Sequence, residues 1–98
     1  METSTQILNL LGGFSLLHDK LELSELIRTE NSVNFRIKHR LSKVSYIEIA
    51  KTEFDLYTIE IGRKSIGGHY EFVYSESDVF GENLVFLIEL YSGILIIE

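Results

Sequence analysis

A chain of 98 residues, 45% hydrophobic and 24% charged, has the composition of one small folded domain rather than of a disordered segment. It contains no cysteine, which excludes disulfides, thiolate metal sites and thiol nucleophiles and fits a reducing compartment. The formal charge of −6 argues against simple coating of nucleic acid, yet it is divided unevenly: residues 65–98 hold six acids and no Lys or Arg, whereas no acid separates Glu30 from Glu48.

The opening METSTQILNLLGG has neither a basic n-region nor a long apolar h-region, so no signal peptide is expected. The first helix is expected over Thr5–Leu11, with Ser4 as its N-cap, Ile7, Leu8, Leu10 and Leu11 on its apolar face, and Gly12-Gly13 as its stop. FSLLHD (14–19) adds a short second helical turn packing Phe14 and Leu17. LELSELIRT is ambiguous between helix and strand, and the ENS that follows favours a hairpin with strands near 24–29 and 33–40.

From Val33 the apolar period is two. Val33, Phe35, Ile37 and Leu41 fall on one strand face with His39, and Asn34, Arg36, Lys38 and Arg40 on the other. The same alternation puts Ile47 and Ile49, then Tyr57, Ile59 and Ile61, then Tyr70, Phe72 and Tyr74 inward, with Tyr46, Glu48, Glu60 and Glu71 outward. Turn residues in LSK, KTEFD and GRKSIGG separate these runs. Ser75 with Asp78 has capping-box spacing, so a last helix is expected over 78–91, with Phe80, Leu84, Leu87, Ile88 and Tyr91 as its core stripe and Gly93 as its stop. ILII (94–97) reads as a short buried strand. The expected fold is α+β: a single domain over 1–98 in which an antiparallel meander carries an N-terminal and a C-terminal helix on one face.

The apolar run 84–97 is shorter than the roughly 20 residues a bilayer span needs, and Glu89 interrupts it. No membrane association is expected, and a cytoplasmic location is the default. Arg36, Lys38 and Arg40, extended by Lys43 and Tyr46, have the spacing of a phosphate track on one strand, with Tyr46 available to stack on a base of RNA or single-stranded DNA. Glu48, Glu60 and Glu71 on neighbouring strands would neutralise much of that charge, so a solvated strand face is the favoured account. His18, His39 and His69 have no metal-ligand spacing; His69 with Glu71 would supply only two ligands. GRKSIGG lacks the closing Gly-Lys-Ser/Thr of a phosphate loop, and no G-x-S-x-G or H-E-x-x-H is present. No enzyme activity, catalytic residue, metal or cofactor is expected.

Leu11-Gly12-Gly13, then Asp55, Tyr57, Glu60 and Gly62 in one strand, and Ser92-Gly93 after the last helix follow an order that resembles a group of small phage and prophage proteins. That resemblance implies the α+β meander and a gene of a mobile element. It assigns no site. Small acidic proteins of such elements often bind host proteins, including RNA-guided nucleases, so the expectation is a protein-binding module, an inhibitor of the anti-CRISPR type acting on a host protein or nucleoprotein through Glu82, Phe86 and Glu89. The alternatives are an RNA- or DNA-binding protein using the basic strand, and a homodimer formed through the apolar C-terminal helix and strand.

Overall fold

The computed structural model describes residues 3–52, 55–65 and 67–96, the side chain of Tyr70 excepted. Among these residues three helices, α1 (Thr3–Leu10), α2 (Phe14–Leu21) and α3 (Leu84–Ser92), accompany five strands, β1 (Leu23–Arg28), β2 (Ser32–Ile37), β3 (Tyr46–Lys51), β4 (Tyr57–Lys64) and β5 (Tyr70–Val79). The strands pair antiparallel in the order β1-β2-β3-β4-β5. This is the α+β meander expected from the alternation.

Two glycines stop α1 where the sequence placed the stop. Gly12 and Gly13 take φ of 98° and 95°, values that cost other L-residues about 1–3 kcal/mol, and their amides bond back to Asn9 O (3.1 Å) and Leu8 O (2.9 Å). Ser4, expected as the N-cap, lies inside the helix instead. It is buried, and its Oγ accepts a hydrogen bond from Arg28 Nε at 3.1 Å, with Thr5 Oγ1 taking Arg28 Nη2. Arg28 thereby ties the end of β1 to the first turn of α1. Helix α2 runs on to Leu21, two residues past its expected end, and Glu22 in the left-handed region (φ 55°) turns the chain directly into β1.

One face of the sheet is covered and the other is open. Inward rows run Leu26–Phe35–Ile47–Ile61–Tyr74 and Val33–Ile49–Ile59. They meet Ile7 and Leu8 of α1 and Leu11 just after it, Leu17 and Leu21 of α2, and Leu84 and Ile88 of α3 in one hydrophobic cluster. Phe14, expected to pack with Leu17, is half exposed and stacks on His18, with ring centroids 5.8 Å apart. On the open face Glu48 and Glu60 are register partners. Like charges opposite one another in adjacent strands repel, so Glu60→Lys is expected to raise the stability by roughly 0.2–1 kcal/mol, measured by urea unfolding. A neutral or destabilising result would mean that the two carboxylates already point apart.

Four further expectations are corrected. First, β2 ends at Ile37, because the Lys38 amide turns to Glu22 O (2.8 Å) and the His39 amide to Leu21 O (3.3 Å). Lys38 and Arg40 therefore leave the ladder, and Leu41, expected inward, is 76% exposed. Second, β5 contains two bulges. Ile61 pairs with Tyr74 but Gly62 pairs with Phe72, so Val73 is the extra residue and Phe72 is thrown to the open face. Third, Ser75 to Asp78 form strand, not a helix start. Asp78 has φ 58° at the second bulge, and α3 begins only at Leu84, after a 3-10 turn over Gly81–Asn83. Phe80, expected in the core stripe, is consequently exposed, whereas Leu84, Leu87, Ile88 and Tyr91 do face the core. Fourth, residues 94–96 form no strand. Ile96 is buried but Leu95 is not, and Ile97 lies outside the described residues.

Candidate functional site

The basic residues separate once the chain leaves β2. Arg36 stays on the open face and pairs across the strands with Glu25, its Nε 3.2 Å from Oε2. The sequence had set Glu48, Glu60 and Glu71 against it, and the register supplies Glu25 instead. Arg40 lies in an exposed turn. Lys43 is drawn to the end of α3, with its amide on Ser92 O at 2.9 Å and its side chain running past Gly93. Only Arg36 and Tyr46 of the five expected residues are register neighbours on the sheet. His39 is three-quarters buried by its side chain. Its Nδ1 accepts the Leu41 N–H at 3.1 Å, and Nε2 lies 3.6 Å from Glu22 Oε2, which makes it a turn-holding residue.

A different arrangement occupies the open face. Across all five strands the register aligns Glu25, Arg36, Tyr46, Gly62 and Phe72. The outer edge of the Tyr46 ring lies over Gly62, where a Cβ would overlap it. Glycine is therefore needed here for close approach: the aromatic ring lies down across β4 toward β5. Phe72, its next neighbour in the row, is 71% exposed. Beyond the row lies the β4–β5 hairpin, where Arg63 faces Glu71 at 3.5 Å and a depression of about 470 Å³ is lined by Arg63, Lys64, Ser65, Gly67 and Glu71. The alternation placed Phe72 inward, and no sequence signal marks the bulge that reverses it.

Helix α3 offers the second surface. Leu84 and Ile88 are fully buried, while Phe86 and Leu90, one turn apart on another side, are 61% and 57% exposed. Glu82 is exposed in the 3-10 turn. Glu89 is committed within the chain: its Oε2 accepts the Ile96 N–H at 2.8 Å, which folds residues 94–96 back beside the last turn and leaves Leu95 62% exposed. Gly93 (φ 78°) and Ser92, whose Oγ accepts the Ile94 N–H at 3.1 Å, complete that reversal. The Phe86/Leu90 pair was readable from i, i+4 spacing; the inward turn of Glu89 was not.

At the margin between β5 and α3, Tyr74 stacks on Tyr91 with centroids 4.4 Å apart, and its hydroxyl donates to the Glu76 carboxylate. That hydrogen bond, with desolvation and the carboxylate charge adding to it, pushes the phenol up to about 12. The folded value lies above the unfolded one, so this contribution to stability is complete below pH ~10 and is lost as the pH rises toward 12. In a spectrophotometric titration Tyr74 is expected to ionise late, and Glu76→Gln to bring it back toward the ordinary range. An unchanged curve in that variant would sink the assignment.

Among the described residues no three His, Asp or Glu side chains gather into a metal-binding group, and the Glu71 carboxylate expected beside His69 faces Arg63. No described helix is long and apolar enough to cross a membrane. No protein-family model, curated protein or solved structure matches the chain.

Proposed function

We propose that the chain is a non-enzymatic protein-binding module that docks through the outward flank of α3. The observation that carries this reading is the exposure of Phe86, Leu90 and Leu95 around a helix whose opposite side is core. Grouped large apolar side chains at a surface mark contact sites more often than scattered ones do, and an i, i+4 pair is the usual anchor of a helix laid in a groove. The surrounding charge defines the groove. With Glu82 exposed in the turn before the helix and Lys43 set against its far end beside Gly93, the complementary partner is an apolar cleft with a basic rim at the Glu82 end. A nucleic-acid channel of a host nucleoprotein has that chemistry, and occluding one is a role that small acidic proteins of mobile elements often take. A second copy of the chain would supply the apolar part without the basic rim.

The test is site-specific photo-cross-linking from position 90 in the native host, with position 48 on the open sheet face as control. One adduct with a different protein, lost on Phe86→Asp, supports the reading. With the partner purified, Phe86→Asp is expected to weaken binding by about 30-fold or more, the scale of an interface hot spot. Its melting temperature should stay nearly unchanged, since the ring is mostly exposed. An adduct of twice the chain's mass would replace the partner by a homodimer, and no adduct would sink the proposal.

A further inference from the structure

We infer that the open face of the sheet binds single-stranded nucleic acid, with Tyr46 and Phe72 as a base-stacking platform. The site is independent of the α3 flank and differs from the basic track expected along β2, which the structure disperses. Its geometry starts from Gly62. Without a side chain at the centre of the row, the outer edge of the Tyr46 ring reaches over β4, and the bulge at Val73 turns Phe72 to the same face. Their Cα atoms are two interstrand spacings apart, roughly 10 Å, and the lean of Tyr46 toward β5 shortens the gap between the rings. Two adjacent aromatic faces on a sheet suit consecutive unpaired bases, which stack with little regard for sequence.

Charge sets the direction. Arg36 flanks Tyr46 in the row, and exposed Lys64, two residues beyond Gly62 on the same face of β4, lies toward the hairpin end. Glu25, which pairs with Arg36, is about half exposed. An ion pair in such a solvated setting is weak, so a phosphate can displace the carboxylate. One row along, Glu48 and Glu60 form an acidic boundary that repels a phosphate backbone. The strand is thereby confined to the side of Arg36 and Lys64. Duplex does not fit: its bases are already stacked and present no free face to the rings.

Fluorescence anisotropy of labelled 12-nucleotide oligo-dT and oligo-U, titrated with the full chain at low and physiological salt, tests the inference. Binding that weakens with salt is expected, with a duplex of the same length binding more weakly. Phe72→Ala, at an exposed position that should not disturb folding, is expected to lower the affinity about fivefold or more, and Phe72→Trp to retain it. Tyr46→Leu should behave like Phe72→Ala, with circular dichroism confirming that it folds. Absence of binding at low salt, or binding indifferent to Phe72→Ala, would overturn the inference. So would a change of self-association in Phe72→Ala without oligonucleotide binding, which would make this face a contact between copies. None of these outcomes depends on the α3 surface.

Discussion

Phe35→Ala is expected to destabilise the protein by about 3–5 kcal/mol, the range for removing a fully buried phenylalanine. Phe35 sits at the centre of β2, wholly excluded from solvent, between Leu26 on β1 and Ile47 on β3. Its row continues through Ile61 to Tyr74, so the cavity left by the ring would open in the middle of the sheet and not at a margin able to collapse. Small domains commonly have only about 5–15 kcal/mol in total, and this single change would consume a large part of it. Urea unfolding should show the midpoint falling sharply with little change of slope. A loss below about 1.5 kcal/mol would mean that neighbouring side chains refill the space.

Glu89→Ala is the second large effect, and it arises from a hydrogen bond that charge counting would overlook. The carboxylate accepts the Ile96 N–H, a charge-assisted bond of a type worth about 1.5–3 kcal/mol. It also holds Ile96 in the core, and this side chain is 1% exposed. Breaking the bond releases the segment, so part of that burial is lost along with it. A fall in melting temperature of roughly 8–16 °C corresponds to about 2 kcal/mol in a domain of this size. Hydrogen exchange should localise the change to residues 94–96, and Glu89→Gln, which keeps an acceptor oxygen, should retain part of the protection. Fast exchange confined to the sheet would contradict the assignment. Because Glu89 is structural, its charge reversal is a poor probe of docking. Phe86 and Leu90 are the informative positions.

These side chains show where the sequence could be read and where it could not. Strands β2, β3 and β4 follow from Val33, Phe35, Ile37, then Ile47, Ile49, then Tyr57, Ile59, Ile61, because a sheet covered on one side enforces strict period two. Strand β5 breaks that period twice, and each bulge inverts the side chains before it relative to those after it. Phe72 looked like core for that reason. Ser75-Glu76-Ser77-Asp78 carries helix-start chemistry, but pairing of Glu60 with Ser75 and of Ile59 with Glu76 overrides the local preference. Lys38 and Arg40 looked collinear with Arg36 because nothing local shows that Leu21 and Glu22 will capture the next amides. The candidate sites suffered most. Side-chain direction at an irregular strand, or at a helix end folded back on itself, depends on long-range partners that no short window contains.

The order of the meander also bears on how the chain is made. Each strand pairs with the one synthesised just before it, so the hairpins can zip in sequence while loop-closure costs stay low. The inner face of those hairpins is a different matter. Part of its cover is Leu84, Ile88 and Ile96, which are translated after all five strands. A nascent chain ending after β4 would carry Ile47, Ile49, Ile59 and Ile61 incompletely covered, with β4 as an unpaired edge. That intermediate is the form of this protein most exposed to aggregation and most dependent on chaperones. Arrival of α3 would end the exposure in a single step.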